Sequence, residues 1–230
     1  MALRMLTWNL MHGRAIPPAG QDLRREFADA LAAWEWDVAL LQEVPPWWPD
    51  AFVGLLGGGV QRRRVLTSRN AFLAVRKALA VRWPDFIKSN GGGANAILVK
   101  GSALGIAEHR TLLLRLWPER RRLQAVRLQA QGRDLWVGNL HATVHNDVAA
   151  RQEAERARVT MVRWAGGSPL VLGGDFNVRK LSLAGLVRAA GHDVDHIFAS
   201  GLEPVGEGQA LDRGRLSDHA PVAVTLAMAQ

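Results

Sequence analysis

Polar residues whose types could do chemistry recur at one kind of place in this sequence, the ends of buried apolar runs. Asn9 follows LTW, Glu43 follows ALLQ, His141 follows WVGNL, and Asp175 and Asn177 follow LVLGG. Asp195 stands immediately before HIFAS, and Asp218 and His219 stand before APVAV. An ionised carboxylate beside a buried strand is costly unless it is paired or bound to a cation. Taken singly, each of these residues also reads as a strand-end turn, a cap or a satisfied structural histidine. Several of them at the rims of separate strands point to one shared, hydrated site.

The residue types narrow what that site could hold. Glu, Asp and Asn offer hard oxygen ligands, whereas the chain has no cysteine and no HExxH-like pair of histidines on a helix. That set selects Mg²⁺, Mn²⁺ or Ca²⁺ over zinc. Asp175 and Asn177 are two apart, so in an extended segment both project to the same side. Asp218 and His219 are adjacent and need a turn to share a cavity. Phosphoryl transfer asks for such a mixture: a cation on phosphate oxygens, a carboxylate to align water, and donors for the developing charge.

The elements that must position these residues follow from periodicity. Leu3–Asn9 reads as a strand, and Leu23, Phe27, Ala30, Leu31 and Trp34 recur at helical spacing. Val38–Leu41 is a buried strand running into Gln42 and Glu43, stopped by Pro45-Pro46. A helix is expected from Ala71 to Trp83, between the arginine run Arg62–Arg64 and the glycines Gly91–Gly93. Strands follow at Asn95–Val99, Leu112–Leu116, Leu123–Leu128 and Leu135–Leu140, the last two joined by a hairpin turn at Gly132. Asn146 caps a long helix with a narrow stripe of Ala150, Ala154, Ala157, Met161 and Ala165, ended by Gly166-Gly167. Leu170–Leu172 is a strand, Ser182–Ala190 a helix, and His196–Ala199 and Pro221–Leu226 the closing strands. Helices flanking sheets with antiparallel hairpins predict a single layered α/β domain over residues 1–230.

The chain has 230 residues, of which 48% are apolar and 22% charged, enough to bury a full core. Its 29 Lys and Arg against 21 Asp and Glu leave a net charge of +8, which favours polyanionic partners such as nucleic acid. No apolar run reaches the roughly 18–20 residues of a membrane span. With no leader visible, the expectation is a soluble cytoplasmic monomer without stable membrane insertion.

The strings TWNLMHG, LLQEV, VGNLHAT, LVLGGDFN, DHIF and SDHAPV occur in the order found in the endonuclease/exonuclease/phosphatase superfamily. This resemblance runs from about Thr7 to Val222. It implies a DNase-I-like four-layer αββα sandwich and a Mg²⁺-dependent phosphoesterase, with Mn²⁺ able to substitute. By position, Glu43 resembles the principal metal ligand, with Asn9 and Asp218 close to the same ion. Asp175 resembles the aspartate that orients or deprotonates water. Asn177 and His141 resemble the phosphate-binding residues, His219 the catalytic histidine, and Asp195 the aspartate that holds it. The chain departs from abasic-site endonucleases: it has no tyrosine, and Met11 stands where they carry an Asp. The segment NGGGANAIL resembles small bacterial members.

Four further residues are expected to touch substrate: Asn95, Arg122, Trp47 and Trp48. Trp47-Trp48 lies on a proline-bounded segment close to Glu43, able to pack over the sheet edge, stack on nucleobases or dip into a membrane interface. Trp83, Trp117 and the other tryptophans sit in periodic segments and read as core. His12 and His145 could line the cleft. Arg62, Arg63, Arg64 and Arg69, with Arg120, Arg121 and Arg122, read as solvated faces or as phosphate contacts. A nucleic-acid phosphodiester is thus the expected substrate, with a small or lipid phosphoester as the second reading. A basic binding module without catalysis is the third.

Overall fold

The computed structural model describes residues 2–67, 72–85, 93–101, 103–130 and 132–228. The chain begins with β1 (Ala2–Asn9), α1 (Arg24–Ala33), β2 (Val38–Val44), α2 (Trp48–Leu55), β3 (Val60–Leu66), α3 (Leu73–Arg82) and β4 (Ala94–Lys100). Then come β5 (Leu104–Arg115), β6 (Arg121–Ala130), β7 (Arg133–His141), α4 (Asp147–Ala165) and β8 (Leu170–Asp175). It closes with β9 (Val187–His192), β10 (Asp195–Ser200), β11 (Leu202–Pro204), β12 (Gln209–Ala210) and β13 (Val222–Met228). One sheet has the order β11-β13-β1-β2-β4-β3 with β12 beside β13, and the other β5-β6-β7-β8-β10-β9.

Alternation along the strands builds four layers. Met5, Val38, Leu40 and Ile97 of the first sheet meet Val126, Val137, Val171 and Ile197 of the second. Their neighbours Leu6, Trp8, Ala39 and Leu41 point the other way, onto Phe27 and Leu31 of α1 and Phe52 of α2. On the far side the α4 stripe Ala150, Ala154, Ala157 and Met161 covers Leu123, Ala125, Trp136 and Leu172. Each fully buried Leu, Val or Phe contributes about 1.5–3 kcal/mol by leaving water. This is the αββα sandwich.

The register decides where the chemistry gathers. β1 runs parallel to β2, and β7 parallel to β8, so Asn9, Glu43, His141 and Asp175 arrive at the same edge. β10 is antiparallel to β8, which sets its first residue Asp195 opposite Asp175. β13 is antiparallel to β1, with Val222 opposite Thr7, and this brings the preceding Asp218 and His219 to the same edge. Gly174 sits at φ 139°, and a Cβ there would overlap the Leu140 carbonyl of β7. Only glycine lets GGD approach its neighbour so closely.

Several elements differ from the sequence expectation. Residues 182–190 form no helix: Gly185 turns at φ 75°, and the chain then pairs as β9 along β10. A short segment of weak helical preference yields to an open sheet edge. The arginine run is β3, the edge strand beside β4, where charges discourage pairing with other chains. β5 begins at Leu104 rather than Leu112. α2 forms directly after the prolines, with Pro49 in its first turn. Asn146 does cap α4, its side chain accepting from the Ala149 amide, and Gly166 ends the helix in the left-handed region. Trp83 and Trp117 are exposed, not core. The expected residues Arg69, Ala71 and 90–92 lie outside the described set. Among the described residues, no helix is long and apolar enough to cross a membrane.

Candidate active site

Asp175 is the hub. Its carboxyl is 1% exposed at the end of β8. Asn9 donates from Nδ2 to Asp175 Oδ2 at 2.9 Å, and the Asn177 amide donates to Oδ1 at 2.9 Å. Two imidazoles aim at the same Oδ2: His141 Nε2 at 3.6 Å and His219 Nε2 at 3.9 Å. Both are longer than hydrogen bonds, so neither proton is committed to the carboxylate. Burial pushes the Asp175 pKa up and nearby Asp195 pushes it further, to about 7, against the pull of His219 and Asn9.

His219 is oriented from behind. Its Nδ1 lies 2.7 Å from Asp195 Oδ2. Burial would lower its pKa, but the Asp195 hydrogen bond and charge, with Asp175 and Asp218, raise it to about 10. Burial pushes the Asp195 carboxyl upward, and His219 draws it back. Ser217 fixes the loop, donating to the Asn9 carbonyl at 2.6 Å and accepting from the His219 amide at 3.1 Å. Trp8 Nε1 donates to the His219 carbonyl at 3.0 Å.

Glu43 stands on the other side of the hub. A register shift between Leu41 and Val44 lets the chain bulge there, and Glu43 takes φ 49°. Its Oε2 meets His12 Nε2 at 3.1 Å and its Oε1 lies 3.6 Å from His141 Nε2. Glu43, Asn177 and Ser217 all hold positive φ, as do Met11, His12 and His145. Strain of this kind persists only where the surroundings over-determine it, and it clusters at working sites. Beneath the site, Gln42 Nε2 donates to Asn139 Oδ1 at 2.8 Å, while Asn139 Nδ2 donates to the carbonyls of Leu41 and Ala96 at 3.0 Å. These bonds tie the two sheets together directly under the carboxylates.

The cleft opens into two cavities. One, about 350 Å³, is lined by Asn177, His192, Asp193, Asp195, Arg213, Asp218 and His219. The other, about 120 Å³, is lined by His12, Glu43, Thr67, Gly93, Glu119, Arg121, His141 and Val144. The donors fit a hard divalent cation. Oxygen ligands predominate, and Asp175 is a buried carboxylate whose charge burial and Asp195 both oppose. Asp175, Asp195 and His219 offer ligand atoms within 4.8 Å of one another. Because Asp195 already holds His219 Nδ1, two of these three residues are first committed to each other. Of the expected ligands, Asn9 touches Asp175, Glu43 lies beside His141, and Asp218 is half-exposed beside His219.

Of the expected substrate contacts, Trp48 and Asn95 are corrected by their burial. Trp48 is 3% exposed, packed on Phe27 and Phe52 under Gly13, which leaves little of the indole for a ligand. Asn95 is wholly buried opposite the Glu43 bulge, and neither of its amide atoms has a partner among the described residues. Arg121 reaches the site, with Nη1 3.0 Å from His141 Nδ1, and the neighbouring Arg122 is half-buried. Trp47 is half-buried, beside Trp48, Pro45 and Gly13. The sequence offers Arg121 only as one of a run read as solvated faces or phosphate contacts, and does not single out Glu119, because a charge run hides which member turns inward.

Residues 6–219 match the Endonuclease/Exonuclease/phosphatase family. No curated protein matches the sequence closely enough to count as a relative. Among solved structures, a family protein from Bacteroides thetaiotaomicron superposes with TM-score 0.73 at 18% identity, covering 100% of this chain and 99% of that one. A mannosyl-6-phosphatase from the same organism gives 0.73 at 18%, covering 98% and 100%. The human Nocturnin catalytic domain, bound to sulfate, gives 0.73 at 18%, covering 99% and 95%.

Proposed function

The chain belongs to the endonuclease/exonuclease/phosphatase family, and from that premise we propose that it hydrolyses a phosphoester by in-line attack of water on phosphorus. One observation carries the reading: Asn9, His141 and His219 converge on the buried Asp175 Oδ2, at 2.9, 3.6 and 3.9 Å. Asp175 aligns the water and accepts its proton, a task its elevated pKa suits. His219, kept cationic by Asp195, neutralises charge growing on the phosphoryl oxygens. His141 donates from the neighbouring cavity, and Asn177 Nδ2 is held by the Ala142 carbonyl at 3.1 Å. Glu43, Asp218 and the Asn9 side-chain Oδ1 are the groups that would hold Mg²⁺ or Mn²⁺. When bound, the cation supplies Lewis-acid stabilisation of the phosphate oxygens.

For the substrate, the net charge of +8 supports a nucleic-acid phosphodiester. The two modest cavities and the burial of Trp48, which removes a stacking platform, favour a small or lipid phosphoester as the second reading. The name of the Bacteroides mannosyl-6-phosphatase points the same way. A hydrolysis panel of plasmid DNA, RNA, bis-nitrophenyl phosphate, sphingomyelin and inositol phosphates, with Mg²⁺ or Mn²⁺ and with excess chelator, tests both. A nuclease should weaken steeply as salt rises, and a small-substrate enzyme should not. Equal turnover in chelator would remove the cation from the mechanism.

A further inference from the structure

His141 is held from behind by a cation. Arg121 opens β6, its side chain 5% exposed, with Nη2 2.7 Å from Glu119 and Nη1 3.0 Å from His141 Nδ1. A guanidinium has five donors and no acceptor, so this contact makes Nδ1 the acceptor. The proton of the neutral ring must then sit on Nε2, the atom facing Glu43 and Asp175. A ring in that form donates a hydrogen bond into the cleft and has no lone pair there to take a proton from water.

We propose that Arg121 is a positioning residue that locks His141 in the Nε2–H tautomer, making His141 a neutral donor toward the substrate rather than a base. Arg115, next to Arg121 across the β5–β6 register, is ion-paired to the buried Glu153, which also binds the Thr143 amide at 2.8 Å. Both ends of the Arg121–His141 contact are thereby anchored. Glu119 holds the second nitrogen of the guanidinium, which keeps Nη1 turned toward the ring. The role assigned to the donated proton rests on the phosphoester reading, whereas its position on Nε2 does not.

The test separates the two. In ¹⁵N-histidine protein near neutral pH, long-range ¹H–¹⁵N spectra report the tautomer of each ring, and His141→Gln assigns the signal. The wild type should show His141 as Nε2–H alone. Arg121→Met should admit the Nδ1–H form and lower kcat on bis-nitrophenyl phosphate roughly tenfold, with KM little changed. Arg121→Lys, which keeps a donor, should restore the wild-type spectrum and most of kcat. An Nδ1–H signal for His141 in the wild type overturns the proposal, as does an unaltered tautomer in a folded Arg121→Met. If that variant does not fold, the wild-type and Arg121→Lys spectra still decide. A protein that shows the Nε2–H ring but hydrolyses no phosphoester would retire the proposed function and leave the tautomer lock standing.

Discussion

His141 and His219 line different cavities yet approach the same oxygen of Asp175, and opposite charges stand behind them. Arg121 backs the first and Asp195 the second. Burial, with the nearby charges of Arg121, His12 and His219, drives the His141 pKa well below its usual value. Asp195 lifts that of His219 far above it, although burial there works the other way. One side-chain type thus supplies a neutral donor and a cation in a single cleft. The partner behind each ring sets the difference.

The largest expected effect removes what the two rings share. Asp175→Asn should lower turnover about 10³-fold on any phosphoester that the wild type cleaves. Retained activity would strip the comparison of catalytic meaning. Next, glutamine can imitate a neutral donor but not a cation. His219→Gln should therefore cost about 10²-fold in kcat, and His141→Gln only about tenfold. Equal losses would show that the rings do the same work.

A third measurement tests the His219 side by stability. A group whose pKa rises on folding stabilises the fold below its unfolded value, near 6.5, and loses that contribution as pH climbs through about 10. In chelator, Asp195→Asn should lose roughly 1.5–3 kcal/mol near neutral pH, read by thermal melting. The gap from wild type should close as the pH approaches about 10. A gap that widens instead would mean that His219 is neutral in the fold. The smallest effect belongs to Arg122→Ala, which should change kcat by less than about twofold, since substitutions away from partners stay within ±0.5 kcal/mol.

What the sequence made legible follows from what kind of signal carried it. Asn9, Glu43, His141, Asp175, Asp195 and His219 stand out because a polar group at the end of an apolar run is costly, and the structure brings them together. The β13 strand and the α4 stripe were readable from periods of two and about 3.6. Arg121 was not, because choosing among three adjacent arginines requires knowing which way each points. The register shift between Leu113 and Arg115 breaks the simple alternation there. Trp48 was misjudged for a related reason: prolines suggest a surface, and only the fold reveals that Gly13 leaves room for the indole beneath. The strand at 187–192 depends on β10 as a partner, which no local pattern encodes.

The path of the chain carries one more consequence. β1 to β4 lay down part of the first sheet, β5 to β10 build the second, and β13 returns to fill the slot between β11 and β1. His219 rides in with that returning segment and meets Asp195 only then. During synthesis, a nascent chain could display Glu43, His141 and Asp175 while lacking its second imidazole and the strand that secures it. A chain that stopped short of this segment would therefore lack both the second imidazole and the strand that seats it.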